Sequence, residues 1–306
     1  MIESILDHEP DAAVYVLAMD QPTVDLLKEH YWQKLSDVIT LSEFENAELV
    51  RAKTGRSKAE YCWTCTPSLI HFCIKKYGME LCTYVDADLF FYRKPSEVVG
   101  RMACGATLIT PHRYSEKYDQ SRECGIYCVQ FMPFRSSEEG MAILNDWRQK
   151  CLEWCFAHKA PGRFGDQKYL DEWTKEFDGV HVEEGVDVGI APWNIQQYSF
   201  TLDRDCDGMR IFKNSVKVDP VFYHFHALKF YGDGTVDYGT NYKIPQEAFS
   251  LFYKSYINKI RIKLRSLSAI SNSVGCAAFT RRPRGVKEKL KYIFWALRGT
   301  LNLAKF

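Results

Sequence analysis

Two carboxylates, Asp86 and Asp88, stand two residues apart, with Leu-Cys-Thr-Tyr-Val before them and Leu-Phe-Phe-Tyr after. In an extended chain residues i and i+2 share a face, so both acids can point the same way at a strand end. Like charges that close repel, and each raises the other's pKa. A divalent cation relieves the repulsion: Mg²⁺ and Mn²⁺ take a few carboxylate oxygens and share the rest of their shell with substrate phosphates. The pattern points to a metal–diphosphate site. The competing reading is a solvated turn whose acids cap a helix starting near Lys94-Pro95. A turn needs no apolar chain on both sides, and acids set between buried runs are costly without a partner. The metal reading leads.

The elements around the acids read as alternating strands and helices. Residues 13–19 suggest a buried strand, about 22–31 a helix, and 37–41 a second short strand. Ser42 is a plausible N-cap for a helix over 43–49. Residues 57–77 look helical and end at Gly78, which suits a C′ position. The strand carrying Asp86 and Asp88 follows. Strands are expected over 105–110 and 126–131, with a long amphipathic helix over 136–156. Gly165-Asp166-Gln167 opens a shorter helix to Trp173, and residues 221–226 alternate bulky apolar residues with His224 and His226. Such alternation implies an α/β sandwich with a mainly parallel sheet, in which ligands bind beyond the carboxyl ends of the strands.

Composition bounds the alternatives. The chain has 306 residues, 46% of them hydrophobic and 14% aromatic, ample for a packed core. No run approaches the roughly 18 to 20 apolar residues that span a bilayer. Residues 1–12 are acidic and lack the apolar core of a secretory signal, so a cytoplasmic protein with reduced cysteines is expected. Cys62 and Cys65 form a CxxC pair, but zinc needs a second such pair, and Cys124/Cys128 and Cys151/Cys155 are four apart. A redox pair opens a helix after a strand, whereas this one falls inside an apparently helical run. From Leu251 onward thirteen Lys and Arg face one acid, Glu288, while the whole chain carries only +1. An acidic body with a basic tail hints at a membrane surface or polyanion; no nucleic-acid partner is expected.

With a DxD, a later Gly-Asp-Gln and a late His-rich strand in that order, the chain resembles bacterial GT-A-fold glycosyltransferases that use nucleotide-sugar donors. The matching stretches are RSKAEYCWTCTP at 56–67, YVDADL at 84–89, GDQKYLD at 165–171, APWN at 191–194 and YHFH at 223–226. They cover roughly residues 13 to 255. The resemblance implies a GT-A-like three-layer sandwich around a mainly parallel central sheet, and a role for each piece. Asp86 and Asp88 would hold Mn²⁺ or Mg²⁺ on the donor diphosphate. His224 or His226 would complete the shell, and an imidazole ligand suits Mn²⁺ better. Lys58 and Lys229 would lie near the diphosphate; each could equally be a solvated lysine. Asp166 and Gln167 would mark the donor-sugar and acceptor end. Asp166 is the candidate catalytic carboxylate, as general base or as electrostatic partner of a developing oxocarbenium ion, unless it merely caps its helix. Trp193 and Asn194 would line the acceptor cleft or, for Trp193, fill the core.

The resemblance also implies that the first strand of the fold is missing, because residues 1–8 already read as the end of the first helix. Residues 1–265 are thus expected to form an N-terminally truncated GT-A domain, and 266–306 a basic linker and amphipathic helix over 286–303. That helix suits an anionic membrane surface, hence a peripheral place on the inner face of the cell membrane and a lipid-linked or saccharide acceptor in the envelope. Two other classes compete. A haloacid-dehalogenase-like phosphatase also places DxD after a strand, but it sits near the N-terminus and favours Thr or Val where this chain has Phe90. A non-catalytic relic acting as a carbohydrate-binding or scaffold protein fits the missing strand.

Overall fold

The computed structural model describes residues 1–203, 208–270, 279–280, 282 and 285–305. The chain divides into two compact units, one of Met1–Ala87, Phe91–His112 and Gln120–Val188, the other of Asp88–Phe90, Arg113–Asp119 and Gly189–Phe306.

The first unit opens with the helix Ile2–His8, then a parallel strand pair, Tyr15–Ala18 with Asp37–Thr40, joined by the helix Gln21–His30. Asp20 caps that helix by accepting from the Thr23 N–H at 2.9 Å, and Val24 and Leu27 bury against Ala18 and Val38. The single helix expected after Ser42 is two short ones, Leu41–Phe44 and Ala47–Lys53. Thr40 and Asn46 take the capping positions, and the Ser42 hydroxyl pairs with that of Thr40 at 3.0 Å. The helix Lys58–Tyr77 is set at both ends by local chemistry. Ser57 and Glu60 form a reciprocal capping box, and Gly78 closes the other end at φ +65°, a conformation that suits glycine.

The main sheet is mixed, which corrects the mainly parallel one expected. Leu81–Val85, Phe131–Arg135, Thr107–Pro111 and Tyr127–Cys128 are neighbours in that order, and every one of those pairings is antiparallel. Val180–Val182 adds on in parallel beside Thr107–Pro111. The physical reason lies in the connections. Between Pro111 and Phe131 the chain makes only short turns at Glu116–Tyr118 and Ser121–Cys124, with no long helix to carry the crossover that usually links parallel strands.

The helix Glu138–Glu153 starts at Ser137, whose hydroxyl accepts from the Gly140 N–H. Its Ile143, Leu144, Trp147 and Cys151 bury against Ile70 and Ile74 of the earlier helix and Met132 and Phe134 of the sheet. Trp147 stacks on Phe134 at 6.2 Å and meets Trp173 edge-on at 5.5 Å.

The second unit holds two antiparallel sets. One is Ser199–Asp203, Gly208–Lys213 and Val216–Val218; the other is Leu228–Tyr231, Thr235–Tyr238 and Leu303–Lys305. Phe222–His224 pairs with the short strand Leu89–Phe91. Its core is aromatic, with Tyr223 stacked on Phe252 at 4.3 Å and Phe225 on Tyr256 at 3.8 Å. The helix Lys254–Ile270 runs through the position expected to begin a linker at Ser266, and most of the rest of that stretch lies outside the described residues.

Two glycines test the packing of the first unit. A Cβ on Gly140 would sit 2.2 Å from the Arg135 carbonyl oxygen, whereas one on Gly100, also helical, meets nothing within 4 Å. Gly140→Ala should therefore cost about 1–3 kcal/mol in urea unfolding, and Gly100→Ala should add about 0.5–1 kcal/mol. Equal effects at both positions would contradict the packing.

Candidate metal centre

In the first unit the strand Leu81–Val85 delivers Asp86, whose N–H donates to the Gln130 carbonyl at 3.0 Å. Two residues back on the same face, the Tyr84 hydroxyl donates to the Asp86 carboxylate at 2.8 Å. Burial and the negative charges of Asp86 and Asp166 hold the Tyr84 phenol protonated, well above its ordinary range. Asp166 is only 5% exposed. Its backbone is fixed on both sides: the Gly165 N–H donates to Phe156, and the Trp147 indole donates to the Asp166 carbonyl at 2.8 Å. Burial, then repulsion from Asp86, pushes its carboxyl up to about 8, against a hydrogen bond with Thr66. Without a counter-cation it is a neutral acid at pH 7.

Asp166 does not cap a helix. Gln167 occupies the cap position of the 3₁₀ turn Lys168–Glu172, with no side-chain capping bond, and the expected helix splits into this turn and Trp173–Glu176. The Gln167 amide instead donates to the Cys124 carbonyl at 2.7 Å. Lys58 is exposed at the start of its helix, and its charge acts on Asp20. Cys62 and Cys65 lie within the same helix, where burial raises both thiols, Cys65 to about 12. Thiols so held are poor nucleophiles.

In the second unit Asp88 and His224 face each other, Oδ1 to Nε2, at 3.1 Å. The backbone fixes both: Phe225 N–H donates to the Asp88 carbonyl, and His224 N–H to the Ile190 carbonyl, each at 2.9 Å. Desolvation raises the Asp88 carboxyl, but attraction and hydrogen bonding from His224, with a further pull from His226, outweigh it and leave the pKa lowered. The two histidines differ. His224 is 4% exposed, whereas His226 reaches solvent along one edge while the rings of Trp193 and His224 flank it at 5.4 and 5.9 Å. Desolvation, then the neighbouring His224, lowers the His226 imidazole below its ordinary range. Lys229 is exposed, opposite Asp237 in the sheet register, and its charge pushes the same way on His226. Trp193 is buried, 5.1 Å from His224. Asn194 is structural: its side chain accepts from the Ala191 N–H and donates to the Gly189 carbonyl.

Asp86, Asp88 and His224 each offer one ligand atom, and the three atoms lie within 4.8 Å of one another. Two carboxylate oxygens and one imidazole nitrogen make a donor set that could hold a metal ion, and one suited to a divalent cation such as Mn²⁺. Tyr84 and Thr66 escaped the sequence reading as site residues. Tyr84 was findable, since it continues the i, i+2 alternation of the two acids; Thr66 lies inside the matching stretch 56–67, but nothing local in the sequence tied it to the acids.

No protein-family model matches the chain. Two curated proteins of Bacillus subtilis strain 168 match most of it. YfnD is 30% identical over 269 residues, 85% of this chain and 83% of YfnD; YfnF is 30% identical over 237 residues, 75% of this chain and 76% of YfnF. Both are described as uncharacterized. Among solved structures, mouse xyloside xylosyltransferase 1 in its apo form matches with a TM-score of 0.42 and 12% identity, over 74% of this chain and 90% of that one. That likeness is too distant to carry an argument.

The buried acid gives a pH signature. Asp166 binds its proton more tightly folded, near pH 8, than unfolded, where a carboxyl keeps its ordinary value of 3.8. Stability contributed by that proton is present at acid pH and lost as pH rises from about 4 toward 8. Melting temperatures taken with EDTA should fall over that window, and Asp166→Asn should flatten the slope. An unchanged slope in the variant would rule out the neutral acid.

Proposed function

We propose that this chain, which belongs to the family of Bacillus subtilis YfnD and YfnF, is a glycosyltransferase. In this reading it moves a sugar from a nucleoside-diphosphate donor to a saccharide or lipid-linked envelope acceptor. The observation that carries the reading is the Asp86–Asp88–His224 group at the end of a strand. Its support in the sequence is the ordered set of DxD, Gly-Asp-Gln and His-rich stretches that resembles GT-A enzymes.

Mn²⁺ or Mg²⁺ held by that group would act as a Lewis acid on the leaving diphosphate. The rest falls to the chain's own side chains. Tyr84 orients Asp86 through its hydroxyl, and the Asp88–His224 pair fixes the imidazole with Nε2 toward the carboxylates. Asp166 is the candidate catalytic carboxylate. Ionised, it would take the acceptor hydroxyl's proton or stabilise positive charge developing on the donor sugar. Gln167 positions that loop through its bond to Cys124. Lys229 and Lys58 are assigned to the donor phosphates. The influence of Lys229 on His226 supports its part, whereas the charge of Lys58 falls on Asp20. The three-layer GT-A arrangement belongs to the same proposal.

The test is thermal stabilisation by UDP-, GDP-, CDP- and dTDP-sugars, with and without Mn²⁺. A donor at about a hundred times its Kd stabilises by about 2.7 kcal/mol, a rise of several degrees for a chain of this size. One nucleotide should give a metal-dependent rise, and Asp88→Ala should abolish it together with Mn²⁺-dependent hydrolysis of that donor. Stabilisation that persists in Asp88→Ala would refute the metal site. No rise with any donor would favour a non-catalytic carbohydrate-binding protein.

A further inference from the structure

The helix Val286–Leu297 is held the unusual way round. Tyr292 meets Trp295 at 5.6 Å, and Arg282 lies over the rings of both Tyr231 and Tyr292 while pairing with Asp233. The aromatic side is therefore the anchored side. Leu290, Ile293, Phe294 and Leu297 are left 59%, 57%, 52% and 83% exposed. At the α-helical repeat these four fall on one stripe about 100° wide.

The helix cannot simply roll the stripe inward. Immediately after it, Thr300 N–H donates to the Trp295 carbonyl, and Thr300 and Asn302 are 3% and 5% exposed. The Asn302 side chain donates to the carbonyls of Gly239 and Tyr242 at 2.8 and 2.7 Å. Leu303–Lys305 then pairs with Thr235–Tyr238. Exposed Lys291 lies on this helix, and exposed Arg298 follows its last turn, over the Phe294 ring at 5.1 Å. The sequence from Leu251 on has thirteen basic residues and one acid.

We infer that this stripe is a docking surface for an anionic lipid bilayer, on which the helix lies flat with its aliphatic residues among the acyl chains and its basic residues at the headgroups. Charge decides between occupants. A second copy laid face to face would oppose one basic tail with another, whereas acidic headgroups neutralise both. No helix among the described residues is long and apolar enough to cross a membrane, so the contact is interfacial. The inference does not depend on the chemistry proposed at the metal centre.

Cosedimentation of the full chain with vesicles tests it, comparing phosphatidylcholine alone with phosphatidylcholine–phosphatidylserine. Binding should be confined to the phosphatidylserine vesicles and should weaken with salt. Leu297→Glu and Phe294→Glu should each weaken it at least about tenfold, and Lys291→Gln about fivefold. Circular dichroism and metal-dependent donor stabilisation, read in parallel, should stay as in the parent, since these side chains are exposed. Absence of binding, equal binding to neutral vesicles, or full binding by Leu297→Glu would each overturn the inference. So would sedimentation velocity showing a dimer that Leu297→Glu dissociates while vesicles stay unbound.

Discussion

Carboxylate repulsion is the constraint on which the site depends. In the first unit a buried Asp166 and the strand-end Asp86 raise each other's cost of ionisation. Asp166 keeps its proton, and the Tyr84 hydroxyl donates to Asp86. In the second unit Asp88 takes an imidazole for the same purpose. A divalent cation offered to these oxygens would relieve the same repulsion. An Arg at Asp86 would stabilise the apo state and close the site.

The cost of holding those groups is spread into the core. Trp147 is fully buried in the stack with Phe134 and Trp173, yet its indole N–H is spent on the Asp166 carbonyl. A buried N–H must find an acceptor, and here the acceptor is the backbone of the acid whose placement matters. Packing density and site geometry are thus coupled through one hydrogen bond. Rigidity at Asp166 follows from the helix Glu138–Glu153, which the close approach of Gly140 to Arg135 seats against the sheet.

Elements with local signals were legible in the sequence. Ser57, Glu60 and Gly78 mark both ends of their helix through capping chemistry that needs no distant partner. The direction of strand pairing was not legible, because it depends on what the connecting chain does in space: residues 111–131 look no different in composition whether they cross over or turn back. The histidines show the same divide. Alternation in Tyr-His-Phe-His puts His224 and His226 on one face, but the strand ends at His224, and Ala227 has a φ of +64°. The two-residue period lapses there, so one histidine meets Asp88 and the other turns to solvent. Trp193, ambiguous between cleft and core, packs on both rings because the Asn194 turn brings it inward.

The C-terminal helix is where ordinary reasoning about periodicity fails most instructively. Its apolar stripe was readable, but the default is that such a stripe faces the protein. Here tyrosine and tryptophan occupy the inner side, where the Arg282 guanidinium lies over the rings of Tyr231 and Tyr292 and an aliphatic chain would offer it no π-face. Once the aromatic side is anchored, and Thr300 to Lys305 lock the exit, the aliphatic side has only solvent left. Apolar surface in water is disfavoured in proportion to its area, and a contiguous patch is rarer on monomers than scattered single residues. The fold therefore maintains this exposure against a steady hydrophobic cost, and the bonds that maintain it are the same ones that fix the direction in which the stripe faces.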